Sequence, residues 1–338
     1  MTARRPRIAV VAPSPVLTIT VEPGDEIHLH AGGQGIWVAR MCSRLGADAA
    51  VCCVFGGETG DVLRSLLIKE GISLAYVEAQ VNNGGYVHDR RTGDREVVAQ
   101  MPGAALGRHA ADDLYSAALA HGMGASVTVL TGTDPAGIVS ATFYQRLAAD
   151  LRANGQTVVA DLAGPALDAV IKARPAVVKV SEEELVAEGR APADTAALTE
   201  WLLAAHRDGA ANLIVTRGPR PALALLDGEL VAVRSPAATA KDPRGAGDSL
   251  TAALATALAE GASLQDALRL GVAAGMMNVT RSGLGTGRPE DIRAMAERVT
   301  VTSWPGQSPR HGSQTLTARG AVRAIQLGVR QADQGSGR

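Results

Sequence analysis

The stretch from Lys241 to Leu250, Lys-Asp-Pro-Arg-Gly-Ala-Gly-Asp-Ser-Leu, decides how the rest of the chain is read. Gly245, Ala246 and Gly247 leave backbone N–H groups uncovered by side chains, and the run from Ser249 to Ala255 is a strong helix former. Bare N–H groups at a helix N-terminus make an anion site, because the aligned peptide dipoles favour negative charge there. Asp248 is the odd member. Phosphates repel a carboxylate beside such a hole, so the acid needs a chemical task, and accepting the proton of an attacking hydroxyl is the evident one. The alternative is an ordinary first-turn acid after a glycine-rich turn.

The rest of the chain alternates strand and helix. Ile8–Ala12, Ala49–Phe55, Ser126–Thr131, Thr157–Leu162, Ala176–Val180 and Asn212–Thr216 are short apolar runs of the kind buried on both faces of a parallel sheet. Helical patterns separate them, including Ala110–His121, Thr195–Arg207, Ser263–Asn278 and Pro289–Val299. This order predicts an α/β fold with a mostly parallel central sheet, right-handed crossovers and helices on both faces. Ligands bind such sheets at the carboxyl ends of the strands, where the turns at Thr131, Asp161, Ser181, Thr216 and 242–248 fall. Two segments, about 14–31 and 75–104, break the alternation with β-like runs and Pro-Gly or Asn-Gly turns, and read as a small β-sheet flap.

Composition narrows the function. With 3% aromatic residues and a net charge of -1, the chain lacks both base-stacking platforms and the basic balance of a nucleic-acid protein. Cys42, Cys52 and Cys53 show neither metal-ligand spacing nor a disulfide framework, and read as small buried hydrophobes in a reducing compartment. The N-terminal apolar run is too short for a signal or a membrane span, so the expected location is cytoplasmic. No Gly-x-Gly-x-x-Gly turn follows the first strand at Ala12, which excludes a nucleotide-binding dehydrogenase. Beyond residue 305 the chain turns basic and polar, and 306–338 is expected to be a tail with at most one short helix through Val322, Ile325 and Val329.

Together these residues resemble the ribokinase-like (pfkB) carbohydrate kinase family, in particular its 1-phosphofructokinase and tagatose-6-phosphate kinase branch, over about residues 8 to 300. Asp242-Pro-Arg-Gly-Ala-Gly-Asp248 is similar to the family's second signature, and Gly32-Gly33-Gln34-Gly35 to its first, Gly-Gly-Lys-Gly. Gly56-Gly57, Thr131-Gly132-Thr133, Asp161, Lys179 with Glu184, and Thr216-Arg217-Gly218 follow in the family's order.

The resemblance implies a three-layer α/β/α sandwich over 1–305 with a β-sheet lid, and an ATP-dependent kinase using Mg2+. Asp248 would be the base, with Gly245, Ala246 and Gly247 as anion hole. Lys179, Ser181, Glu184, Thr216, Gly218 and Asn278 would serve the nucleotide, and Glu184 would hold Mg2+ through water. Thr18, Gly33, Gln34, Trp37, Thr131 and Asp248 would serve a carbohydrate-like acceptor, and the lid would pair into a homodimer. The likeness implies no nucleic-acid or membrane partner.

The departures from the family concern the acceptor. Thr18 replaces an acid that binds sugar hydroxyls, Gln34 replaces a lysine, Trp37 replaces an asparagine, and no cation stands near Asn82. The resemblance implies transfer to a hydroxyl of a sugar or sugar phosphate, as in a 1-phosphofructokinase-like carbohydrate kinase; removing cations that pair with a phosphate dianion weakens its binding, so the alternative is a kinase that prefers an unphosphorylated sugar, polyol or nucleoside. Arg90, Arg91 and Arg95 in the lid are the alternative source of charge, and packing under the lid is the alternative role for Trp37. Ser181 and Pro221 depart from the family on the nucleotide side. A non-catalytic member that binds a nucleotide or metabolite is the competing reading.

Overall fold

The computed structural model describes residues 5–191, 194–281 and 285–304; the expected basic tail lies outside them. In chain order the strands are β1 (Arg7–Val11), β2 (Val16–Val21), β3 (Ile27–Gly32), β4 (Asp48–Phe55), β5 (Ser73–Glu78), β6 (Gly85–Asp89), β7 (Glu96–Met101), β8 (Val127–Thr131), β9 (Thr157–Asp161), β10 (Val177–Ser181), β11 (Leu213–Arg217), β12 (Arg220–Leu226), β13 (Glu229–Arg234) and β14 (Thr300–Ser303). The helices are α1 (Gln34–Arg44), α2 (Gly57–Lys69), α3 (Arg108–Met123), α4 (Ala141–Ala153), α5 (Gly164–Lys172), α6 (Glu182–Ala187), α7 (Thr195–Arg207), α8 (Ala246–Ala259), α9 (Leu264–Val279) and α10 (Pro289–Ala296).

Ten strands form one sheet in the order β14-β13-β12-β11-β10-β9-β8-β1-β4-β5. From β5 to β11 every pairing is parallel, and β11 to β14 continue it antiparallel. Successive residues alternate between the faces. Val10, Val51 and Cys53 pack with α1, α2, α8 and α9, whereas Val11, Cys52 and Val54 pack with α3, α4 and α5. This is the expected three-layer sandwich. The three cysteines are free and buried, and desolvation pushes the thiols of Cys42 and Cys52 up to about 12. Among the described residues no helix is long and apolar enough to cross a membrane.

Helix α8 is buried without interruption from Ser249 to Ala257, so it sits within the core rather than on it. Its neighbour α9 presses close through Gly271 and Gly275. A Cβ on either glycine would lie 2.9 Å from a carbonyl of α8, that of Leu250 or of Ala246.

Two findings differ from the expectation. The segment 75–104 does not enter the lid at its start, because β5 pairs with β4 as an edge of the large sheet. The lid is β3-β2-β6-β7, supplied by 16–32 and 85–101. Strands β12 and β13 form a hairpin that no expected strand covered. Alanine and Pro221 weaken the β pattern there, yet the Asp227-Gly228 turn, with φ of 50° and 85°, is a hairpin signal readable in sequence.

Candidate active site

Gly245 caps α8 in the left-handed region, at φ 69°, where glycine is unstrained. The turn before it is fastened from several sides. The Asp242 carboxylate accepts from the Arg244 backbone at 3.1 Å and from its guanidinium at 2.9 and 2.5 Å. Asn278, buried at the end of α9, donates to the Arg244 carbonyl at 2.7 Å and accepts from the Gly285 N–H at 2.9 Å. The N–H groups of Lys241 and Asp242 both donate to the Val279 carbonyl. Asn278, expected among the nucleotide residues, thus has both ends of its amide engaged within the protein and acts as a latch on the signature turn.

Asp248 stands in the first turn of α8, half-buried, with its carboxyl raised to about 7. Desolvation is the main cause; the charges of Asp161 and Glu184 add to it, and Lys179 opposes it. Lys179 is buried on β10, its Nζ 3.0 and 3.2 Å from the two Asp161 oxygens. Its own burial pulls its pKa down, but Asp161, Glu184 and Asp248 outweigh that and hold it above the usual value, so it remains an ammonium. Thr251 of α8 donates to Asp161 at 2.6 Å. A buried cation therefore lies under the start of α8, tied to it through Asp161.

Strand register aligns the expected nucleotide residues, since Ser181 and Thr216 are partners at the carboxyl ends of β10 and β11. Gly218 makes the exposed turn into β12 at φ 57°. Ser181 and Glu184 form a capping box: Ser181 N–H and Oγ donate to Glu184 Oε2 at 2.8 and 2.7 Å, and Glu184 N–H donates to Ser181 Oγ at 3.1 Å. Ser181 thus holds the Glu184 carboxylate from both its backbone and its side chain. Next to it, Glu182 is buried between Arg217, 3.5 Å away, and Arg220, whose guanidinium donates to it. This trio ties the start of α6 to the turn at Gly218.

A cavity of about 450 Å³ lies at the carboxyl ends of β1, β8, β9 and β10. Gly33 and Gln34 line it, with Gly132, Asp134, Asp161, Gly164, Glu184 and Glu188 among the others. Asp248 does not line it; Asp161 and Glu184, whose charges act on Asp248, do. Gln34 Oε1 accepts from the Gly132 N–H at 2.8 Å, and its Nε2 donates to the Asp161 carbonyl at 3.3 Å, so this amide forms part of the wall. Thr131 is buried, with its hydroxyl on the Val11 carbonyl.

Thr18 and Trp37 are not among the cavity residues. Both meet at Gly32, where a Cβ would lie 3.3 Å from the indole and 3.5 Å from Thr18 Oγ1. The Arg40 guanidinium covers the Trp37 ring at 4.5 Å and forks onto Glu70. Trp37 packs the root of the lid instead of lining this cavity.

Two residues not expected to matter shape the lid. Asn83 is buried where the lid leaves the body, donating to Ser14 Oγ and to the carbonyls of Pro15 and Val54 while accepting from the Gly56 N–H. Tyr86 on β6 donates to Asp134 of the body. Asn83 sits in an Asn-Asn-Gly-Gly run that reads as a plain turn, so only its burial reveals it.

A core helix beginning at a glycine turn, a buried lysine beneath it and a lidded cavity at the strand ends define a ribokinase-fold phosphotransferase. The sequence matches the pfkB carbohydrate kinase family over residues 10–291, and the chain belongs to that family, whose members pass a phosphoryl group from ATP to a sugar hydroxyl. It is 32% identical over 259 residues to ATP-dependent 6-phosphofructokinase isozyme 2 of Escherichia coli, covering 75% of this chain and 82% of the relative. It is 30% identical over 284 residues to 1-phosphofructokinase of Rhodobacter capsulatus, covering 82% and 88%. The crystal structure of phosphofructokinase-2 from Escherichia coli in complex with potassium superposes with a TM-score of 0.74 at 29% identity, covering 87% of this chain and 98% of that one.

Proposed function

We propose that the enzyme transfers the γ-phosphoryl group of Mg-ATP to a hydroxyl of a carbohydrate acceptor, with Asp248 as general base. The observation that carries this reading is the Asp248 carboxyl, raised to about 7 on the first turn of α8. A base with a pKa near neutrality takes a hydroxyl proton most effectively near pH 7. The N–H groups of Gly245, Ala246 and Gly247 receive the negative charge that develops on the transferring group. Lys179 adds a fixed positive charge beneath them. Thr216 and Gly218 lie along the phosphates. Glu184 fits a Mg2+-bound water, because one of its oxygens is held by Ser181 while the residue lines the cavity. When bound, Mg2+ would neutralise charge on the phosphates.

The lid supports a homodimer. Its β2–β3–β6–β7 register gathers Val21, Ile27, Leu29, Val87, Ala99 and Met101 on one face, with Ile27 64% and Leu29 42% exposed. A second copy covering this face removes apolar surface from water.

The test follows ADP formation from Mg-ATP over a panel of sugars, sugar phosphates and nucleosides, with Asp248→Asn as control. The variant is expected to keep ATP affinity and lose turnover by a factor on the order of 10² to 10⁴. Turnover within a few-fold of the unmodified enzyme would remove Asp248 from the chemistry.

A further inference from the structure

Hydrogen-bond donors and positive charge gather between the lid and the signature turn. Strand register sets His88 of β6 beside Thr20 of β2, and the ring of Tyr86, which fastens β6 to Asp134 of the body, stacks on the imidazole at 5.8 Å. His88 is buried, and its Nδ1 lies 3.1 Å from the Arg95 guanidinium. A guanidinium only donates, so Nδ1 accepts and the ring proton sits on Nε2. Among the described residues nothing is bonded to Nε2. Across the gap stands Arg244, near enough for its charge to act on His88.

Arg244 is fixed in the same manner. Asp242 holds its Nε and Nη2, while Nη1 has no partner among the described residues. The residue immediately precedes the bare amides of Gly245 to Gly247, with Asp248 next in line. Arg90 adds charge from the lid, paired with Glu22, and Arg95 has no acidic partner among the described residues. Burial first, and then the Arg244 charge, hold His88 below the usual histidine pKa; burial first, and then Arg90, lower that of Arg244. An anionic oxygen between the two groups offsets both the lost hydration and the repulsion.

We propose that His88 and Arg244 are specificity-determining residues that grip one phosphate group of a bound ligand from opposite sides, His88 through Nε2–H and Arg244 through Nη1. Arg95 is then a positioning residue, since it acts on the ligand only by fixing the His88 tautomer. The proposal rests on the kinase reading, whose two ligands offer two sources of the phosphate: the γ-phosphoryl group of the nucleotide, and a phosphate carried by the acceptor. Donors already held by Arg95 and Asp242 lose little further freedom on binding, which favours a selective grip.

The first test reads the tautomer in the unmodified enzyme. Two-bond 15N–1H spectra of the seven histidines, with His88→Gln to assign the signal, should show His88 protonated at Nε2 alone at neutral pH. A ring protonated at Nδ1, or at both nitrogens, overturns the proposal. The second test measures by calorimetry the affinity of His88→Ala, His88→Gln and Arg244→Met for ADP, a non-hydrolysable ATP analogue, fructose, fructose 1-phosphate and fructose 6-phosphate. In His88→Ala and Arg244→Met a loss of at least about tenfold for the ATP analogue, with ADP unchanged, supports the grip and assigns it to the γ-phosphoryl group. The same loss for a fructose phosphate, with fructose unchanged, supports it and assigns it to the acceptor. A smaller loss, or an equal loss with and without that phosphate, overturns it. His88→Gln, whose amide nitrogen takes the place of Nε2, should recover most of the affinity lost in His88→Ala; a glutamine variant as weak as the alanine variant reduces His88 to packing and overturns its role. Calorimetry does not depend on turnover, so failure of the kinase reading shows itself separately, as no ADP formed with any acceptor.

Discussion

The ammonium of Lys179 occupies the space that a side chain at Gly247 would need: a Cβ there would lie 2.7 Å from Nζ. The glycine is required by the buried cation, not by backbone geometry, since Gly247 has no positive φ. Gly247→Ala should push Lys179 off Asp161 or lift the start of α8, a strain of about 1 to 3 kcal/mol. Expected is a fall in kcat of at least about tenfold with a melting temperature only a few degrees lower. Unchanged kcat would show that the amides and the ammonium are independent.

Acid pH should silence the enzyme. With Asp248 raised to about 7, kcat/KM for the acceptor should fall tenfold per unit below that pH and level off above it. Lys179 lowers the Asp248 pKa, so Lys179→Met removes a stabilising charge and should move this limb toward higher pH. A limb that stays in place, or moves to lower pH, contradicts the assignment of the base to Asp248.

The same group carries a stability cost with a defined sign. The folded state holds the Asp248 proton more tightly than the unfolded chain, so this contribution weakens stability as pH rises from about 4 to about 7. Asp248→Asn should stabilise the fold at pH 8, by up to about 4 kcal/mol, and lose that advantage near pH 4. Denaturation midpoints at the two pH values give the comparison; equal differences at both would mean that the carboxyl is not desolvated.

Glu182 predicts a separation of KM from kcat. It is buried between Arg217 and Arg220, and Arg217 also donates to Thr195 at 2.8 Å. Glu182→Gln leaves a buried guanidinium poorly compensated, at a cost of about 3 kcal/mol in stability. The turn at Gly218 should loosen, raising KM for ATP about fivefold or more with little change in kcat. Loss of kcat at unchanged KM would place Glu182 elsewhere in the mechanism.

Asn83→Ala should unsettle the lid. Four hydrogen bonds to Ser14, Pro15, Val54 and Gly56 depend on this amide. Leaving their buried partners unsatisfied costs about 2 to 4 kcal/mol. Faster amide exchange across 85–101 than across the large sheet is the expected signature; uniform exchange would argue against a local hinge.

Much of the fold was legible because parallel strands announce themselves as short apolar runs, and the signature at 242–248 sits where such a sheet binds ligands. What stayed hidden depends on packing. Trp37 looked like an acceptor residue, and only the approach of Gly32 and Arg40 shows why its ring turns to the root of the lid. Asn278 looked like a nucleotide residue, and its partners Arg244 and Gly285 are distant in sequence or invisible to periodicity. The Ser181–Glu184 capping box was readable, because Ser-x-x-Glu ahead of a helix is its pattern. The buried trio around Glu182 was not, since three charged residues in sequence say nothing about which of them is desolvated.

The latch between Asn278 and the turn at Arg244 sets an order of events during synthesis. Asp248 leaves the ribosome well before the helix that fixes its turn, and α9 must emerge and dock its glycine face on α8 before the base is held in place. Synthesis proceeds from the N-terminus at roughly 5 to 20 residues per second, so the interval lasts seconds. During it the nascent chain has both signatures yet lacks an assembled site. A product terminated or cleaved before residue 264 would likewise be unable to hydrolyse ATP wastefully, which makes α9 and the residues after it the kinase region's safeguard against partial copies.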